Sequence, residues 1–120
     1  MRVWLLLVAL VLALVPTGFG ESFTPPLNLK DPAVVSKGQD FFNRRCAGRC
    51  HGRDGREGFD APILAGKEYL TAPFVYVTLI GGRPGSAMPT WEGRLTKDEM
   101  WEVIAFVTAL GDQARGEGPK

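Results

Sequence analysis

The sequence has few of the residue types on which most protein chemistry depends. Its 120 residues include only two cysteines and one histidine. Two cysteines are too few for a disulfide-rich scaffold, and one histidine excludes sites that need two imidazoles, as common zinc hydrolase sites do. A formal net charge of +1 gives no support for nucleic-acid binding, which needs a strongly basic face. The composition, 45% hydrophobic and 22% charged, is that of one ordinary globular domain.

Long hydrophobic runs are also scarce, and the one that exists lies at the N-terminus. It covers residues 3–15, thirteen residues, whereas a membrane-spanning helix needs about 20. Arg2 precedes the run, and small residues, Gly18 and Gly20, precede Glu21. This pattern predicts a signal peptide over residues 1–20, with an uncleaved membrane anchor as the alternative. We therefore expect a periplasmic or otherwise exported protein that contacts a membrane only if this segment is retained.

The rest of the chain reads as an extended arm, a domain and a flexible tail. Residues 21–30 contain two prolines and no helical or strand period, which predicts the arm. Asp31 followed by Pro32 predicts the start of a helix that runs to about Cys46. Gly38 interrupts the apolar stripe of that helix, which indicates close approach by another element. We place the domain at residues 31–112 and the tail at 113–120.

The second predicted helix lies near the C-terminus. Thr96 and Glu99 form a capping box ahead of an apolar face with helical spacing, and Gly111 is the predicted end. Between the two helices, residues 72–80 are rich in β-branched and aromatic side chains, so local propensity leaves helix and strand both open.

Both cysteines and the only histidine fall inside one short motif. Residues 45–52 read RCAGRCHG, so Cys46, Cys50 and His51 lie within six residues. A disulfide between the cysteines would stabilise little, because its loop is so short, and would leave His51 without a role. A zinc site would lack a convincing fourth ligand. The third interpretation is a haem attached through both thiols, with His51 as the proximal iron ligand.

Methionine supplies a candidate for the other face of such a haem. Met88 lies in a loop rich in glycine and proline just before the last helix, where its thioether could be the sixth iron ligand. The alternative is that Met88 only packs against the core. Met100 is a poorer candidate, because it lies on the apolar face of a helix.

With these motifs, residues 32–110 resemble the small monohaem class I c-type cytochromes of bacterial electron-transport chains. Gly38 and Phe42 resemble the residues at which the first helix of that family crosses the last, with Val103 and Phe106 as partners. Two departures from the family pattern are the third residue between the cysteines and the short spacing from the haem motif to Met88.

The resemblance implies an all-α, cytochrome c-like fold with crossed terminal helices, a short middle helix at residues 72–80 and a covalent haem in the core. It also implies that the Pro62 carbonyl accepts a hydrogen bond from Nδ1 of the proximal histidine and that Leu64 packs on the haem ring. We further expect Ile63, Trp91 and Phe42 to wrap the haem.

The function that the resemblance implies is single-electron transfer between redox protein partners in the periplasm or membrane, without catalysis. If Met88 is not a ligand, the open iron position would instead suit a haem enzyme or a gas sensor. Five arginines surround the haem motif, and they predict either a cationic docking ring for an acidic partner or a solvated surface of mixed charge. These are Arg44, Arg45, Arg49, Arg53 and Arg56.

Overall fold

The computed structural model of the protein describes residues 22–118, and these form helices and loops without a β-strand. The elements in chain order are α1 (Pro32–Phe42), a π-helical segment (Asn43–His51), a short 3-10 turn (Arg53–Gly55), α2 (Ala72–Gly81) and α3 (Lys97–Arg115). The predicted all-α class is therefore confirmed. No helix within residues 22–118 has the length and apolar character needed to cross a membrane.

Helix α1 begins where the sequence predicts and ends earlier. The Asp31 carboxylate accepts a hydrogen bond from the Ala33 amide, and Pro32 occupies the first turn. Regular α-helix stops at Phe42, so the prediction that it runs to about Cys46 is wrong. The backbone instead widens into the π-helical segment, whose turns hold more residues than an α-helix, and it leaves helical geometry at Gly48.

The middle segment is a helix, as the resemblance implies and against its local propensity. The Thr71 hydroxyl accepts a hydrogen bond from the Phe74 amide and caps α2. Val75 and Leu79, one turn apart, are both buried in the core. Burial of this face favours the helix, which shows tertiary packing overriding β-propensity.

Helices α1 and α3 cross in direct backbone contact. A side chain at Gly38 would overlap the carbonyl oxygen of Glu102 on α3, so the missing Cβ is what permits the contact. One turn further, the rings of Phe42 and Phe106 lie 5.1 Å apart, and Val103 is almost fully buried beside them. The predicted crossing of the terminal helices is confirmed.

Helix α3 is longer than predicted. Its capping box is present, since the Thr96 hydroxyl and the Glu99 carboxylate each accept the other residue's backbone N–H. The helix passes through its predicted end at Gly111 and continues to Arg115, so the tail does not begin at residue 113. Gly116, in the left-handed region at φ 75°, is the residue that terminates it.

Gly111 has a packing role instead of a capping one. A Cβ atom there would overlap the carbonyl oxygen of Leu70 in the segment before α2. The glycine lets that segment lie directly on α3. In the sequence alone, a glycine needed for close packing looks the same as a glycine that ends a helix.

The segment before α1 packs on the outside of α2 and α3. Residues 22–31 form no regular element. The Phe23 ring lies 5.7 Å from both Tyr76 and Trp101, which stack on each other at 5.2 Å. The predicted signal peptide and the last two residues of the tail lie outside the described residues.

Candidate cofactor site

A cavity of about 620 Å³ lies between the cysteine motif on one side and α2, α3 and the loop that joins them on the other. Its volume falls in the range of small-molecule and cofactor sites, about 300–1,000 Å³. Most of the lining is apolar or aromatic. All six residues predicted for the site line this one cavity: Cys46, Cys50, His51, Pro62, Leu64 and Met88.

The π-helical segment places the cysteine motif along one wall. Cys46 and Cys50 are half-buried and their thiols are free, so no disulfide joins them. Gly48, between them, departs from helical geometry in open space, where an added Cβ would meet no atom within 4 Å. The motif has three residues between its cysteines, where the usual haem motif has two. The extra residue is therefore accommodated on the side away from the core.

The environment of Cys46 favours a neutral sulfur. Burial and, to a smaller extent, the neighbouring Cys50 together raise the pKa of the Cys46 thiol to about 12, although Arg45 acts in the opposite direction. Burial has this effect because a low-dielectric site penalises the thiolate. A thioether carries no charge and so does not incur this penalty.

His51 is the most buried polar residue of the site, at 8% exposure. Its Nδ1 atom lies 2.8 Å from the Pro62 carbonyl oxygen. A carbonyl can only accept, so this contact requires that the proton be on Nδ1, which leaves Nε2 as the unprotonated nitrogen of the neutral ring. Leu64, two residues after Pro62, is buried in the same wall.

The loop between α2 and α3 brings Met88 to the cavity. Met88 is half-buried against the core, and its carbonyl accepts the amide hydrogen of Arg83, which closes a tight loop. The Trp91 amide donates to the Leu79 carbonyl at 2.8 Å and fastens the loop to the end of α2. Met100 is 6% exposed, belongs to the core and does not line the cavity.

The predicted apolar wall is correct in part. Phe42, Leu64 and Trp91 line the cavity, but Ile63 does not and is 42% exposed. Pro62 and Leu64 lie in a segment without regular secondary structure, and Ile63, between them, faces solvent.

The lining also contains residues that the sequence analysis did not predict, among them Tyr69, Phe74 and Arg83. Tyr69 and Phe74 pack edge to face at 5.2 Å, and the Arg83 guanidinium lies 5.4 Å above the Phe74 ring. Arg45 is the other cationic residue of the lining. Of the unpredicted residues, Arg83 could have been found from the sequence, because it is the only charged residue in the loop that precedes Met88.

These residues fit a covalently attached haem. The cavity offers two free thiols, an oriented imidazole, a thioether and a mainly apolar lining, together with two guanidinium groups suited to carboxylates. Neither a disulfide nor a zinc site would use this set.

Comparison with known proteins gives the same assignment. The family model described as "Cytochrome C oxidase, cbb3-type, subunit III" matches residues 33–107. The fold is similar to the crystal structure of cytochrome cL from the marine methylotrophic bacterium Methylophaga aminisulfidivorans MPT. The TM-score is 0.58 and the sequence identity 27%, over 76% of this chain and 69% of that chain. The chain belongs to the cytochrome c family defined by that cbb3-type model, and it carries covalently bound haem c as its electron-transfer group.

Proposed function

We propose that the protein is a one-electron carrier whose haem is attached through Cys46 and Cys50 and ligated by His51 and Met88. The observation that carries the proposal is the convergence of these four side chains on one apolar cavity, with the His51 ring already oriented. When bound, the haem iron supplies reversible exchange between its ferrous and ferric states.

The contact between His51 and Pro62 supports the role of His51. With the proton held on Nδ1, the free electron pair of the ring is on Nε2, where an iron ligand needs it. Donation to the carbonyl also raises the basicity of the imidazole and fixes its plane.

Met88 is proposed as the second ligand because, within residues 22–118, it is the only methionine that lines the cavity. A neutral, soft thioether favours ferrous iron and raises the reduction potential. Two protein ligands leave no position for a substrate, which is why we propose a carrier and no enzymatic activity. Phe42 and Trp91 exclude water from the cavity and so favour the less charged ferrous state. Their effect, like that of the thioether, is to raise the reduction potential.

The test uses full-length protein produced with the cytochrome c maturation system. We expect an alkaline pyridine haemochrome of the two-thioether type and, in the oxidised protein, the weak long-wavelength band of sulfur-to-iron coordination. Met88→Ala should abolish that band. The core variant Met100→Leu is the control and should keep it, because the side chain does not line the cavity.

Ready binding of carbon monoxide by the wild-type ferrous protein would contradict the carrier assignment. It would show an open iron position and favour the haem enzyme or gas sensor instead. A missing haemochrome would contradict covalent attachment altogether.

We further propose that residues 1–20 direct export to the periplasm and that the partners are redox proteins that dock beside the cysteine motif. All five arginines of that region are exposed. Three acidic residues lie nearby, Asp54, Glu57 and Asp60. Asp54 is held by hydrogen bonds, and Asp60 forms an exposed pair with Arg49 at 3.8 Å. The region keeps an excess of positive charge, which suits an acidic partner surface.

A further inference from the structure

A small polar cluster joins α1 to the turn that follows His51. One carboxylate oxygen of Asp54, Oδ1, accepts hydrogen bonds from Gln39 Nε2 at 2.9 Å and from Asn43 Nδ2 at 2.8 Å. In return, the backbone N–H of Asp54 donates to Asn43 Oδ1 at 2.8 Å. The Asn43 side-chain amide thus bonds to Asp54 with both its nitrogen and its oxygen. These hydrogen bonds fix the turn to the end of α1.

The backbone at Asp54 shows that this cluster holds an uncommon conformation. Within residues 22–118, Asp54 is the only non-glycine residue with positive φ, at 56°. The left-handed region is unfavourable for most side chains, although aspartate and asparagine tolerate it better than others. Gly52 and Gly55, at φ 69° and 66°, flank it, so the chain reverses sharply just after His51.

The reversal places the Gly55 carbonyl where it holds the segment that carries Pro62. That oxygen accepts the amide hydrogens of Leu64 at 2.8 Å and Ala65 at 2.9 Å. Gly55 is itself wedged against the core, since an added Cβ would lie 3.2 Å from atoms of Leu64 and Leu110. A shift of the turn would therefore move the segment on which the Pro62 carbonyl meets His51.

We propose that Asp54 is a positioning residue for the haem ligand His51, acting through the turn and the Gly55 carbonyl to hold the Pro62 carbonyl against Nδ1. The inference rests on the assignment of His51 as an iron ligand in the proposed function. Asp54 does not line the cavity and forms no hydrogen bond with His51, so its effect is indirect.

The electrostatics of the cluster agree with this role. The pKa of the Asp54 carboxyl is lowered, first by the hydrogen bond from Asn43, then by that from Gln39, with smaller contributions from Arg53 and Arg56. The group is therefore a carboxylate at neutral pH, and hydrogen bonds to an ionised acceptor are shorter and stronger than neutral ones.

The experiment compares three variants of the full-length haem-loaded protein. Asp54→Gly removes the acceptor and leaves the positive φ unstrained, so it isolates the loss of the hydrogen bonds. Asp54→Asn keeps an oxygen acceptor and a residue type that tolerates this conformation. Asp40→Asn, on the exposed side of α1, is the control for loss of one carboxylate.

Two readouts separate positioning from plain stabilisation. With Asp54→Gly, solvent exchange of the His51 Nδ1 proton should become about tenfold faster, about the effect of one weakened hydrogen bond. The reduction potential should rise, because a less basic imidazole stabilises ferric iron less. Asp54→Asn should restore both values toward wild type, and Asp40→Asn should leave both unchanged.

If Asp54→Gly unfolds, Gln39→Ala replaces it, because that variant removes one of the two donors and keeps the turn. Reduced stability with unchanged proton exchange and potential would overturn the inference and leave the carrier function intact. A wild-type protein whose spectrum lacks histidine coordination would overturn both, so the two failures are distinguishable.

Discussion

Gly38 of α1 lies directly against the backbone carbonyl of Glu102 on α3, so closely that no Cβ atom fits between them. A Gly38→Ala variant must push the two helices apart or distort one of them. We expect the free energy of unfolding of the haem-loaded protein to fall by about 1–3 kcal/mol, the usual cost of overpacking a rigid contact. Denaturant titration followed by helical circular dichroism measures this.

Gly81→Ala is the matched control for that measurement. Gly81 is the last residue of α2, and a Cβ atom there would meet no atom within 4 Å. Its replacement should change stability by less than about 1 kcal/mol and should tend to stabilise, since alanine restricts the unfolded chain. Equal losses in the two variants would contradict a close contact specific to Gly38.

The Phe23 ring fastens the N-terminal arm to Tyr76 and Trp101, at 5.7 Å from each. Aromatic pairs contribute about 0.5–1.5 kcal/mol each beyond their buried area. Phe23→Ala should therefore lower stability by about 1–2 kcal/mol and speed amide exchange across residues 22–31. Phe59→Ala is the control: its ring is 64% exposed, so the change should stay within about 0.5 kcal/mol.

The third residue between the cysteines can be tested by two deletions that give the same C-x2-C-H spacing. Gly48 meets no neighbours, whereas Ala47 is buried and its carbonyl accepts the Gly52 amide hydrogen at 3.0 Å. Deletion of Gly48 should keep covalent haem and near-normal stability. Deletion of Ala47 should lower the yield of haem-bound protein, measured as pyridine haemochrome per polypeptide. Equal yields would show that the position of the extra residue is unimportant.

The proposed cationic docking surface predicts a salt-dependent electron-transfer rate. With an acidic redox protein as partner, the second-order rate should fall as ionic strength rises, because salt screens exposed charges over about 10 Å at 0.1 M. Arg45→Gln should reduce both the rate and its salt dependence, since Arg45 is exposed at the edge of the cavity.

Lys37→Gln removes the same charge from α1, where Lys37 pairs with Glu102 at 3.8 Å, away from the cavity lining. It should leave the salt dependence nearly unchanged. A rate that does not vary with salt would contradict the docking surface and favour a solvated surface of mixed charge.

Much of the fold follows from patterns that are local in the sequence. The caps Asp31 and Thr96 determine where two helices begin, and the side-chain contacts of those caps span only two or three residues. The motif from Cys46 to His51 lies on one continuous segment, so its members had to share one region. Met88 is grouped with them from its place in a loop just before the last helix. The grouping of Pro62 and Leu64 comes only from the family resemblance, because it depends on how loops fold back.

The failures of prediction involve residues whose role depends on distant partners. Gly111 resembles a helix end in the sequence, but the carbonyl of Leu70 decides its role. Ile63 and Leu64 are chemically alike, and only the direction of the backbone separates the exposed one from the buried one. Asp54 has an uncommon conformation that no local pattern indicates, since its hydrogen-bond donors lie 11 and 15 residues away.

The Asp54 cluster also predicts how stability varies with pH. Because hydrogen bonds from Asn43 and Gln39 lower the pKa of this carboxyl below its ordinary value of 3.8, folding favours the charged form. The charge therefore adds stability above the unfolded pKa, and that contribution is lost as pH falls through the lower folded value. The stability difference between wild type and Asp54→Asn should be constant from about pH 7 to pH 5 and shrink below pH 4. Arg53 and Arg56 stay charged throughout and do not alter this sign. Repeating the comparison in an Asn43→Ala background should reduce the pH-dependent part, because the main donor is gone, and an undiminished dependence would place its origin outside this cluster.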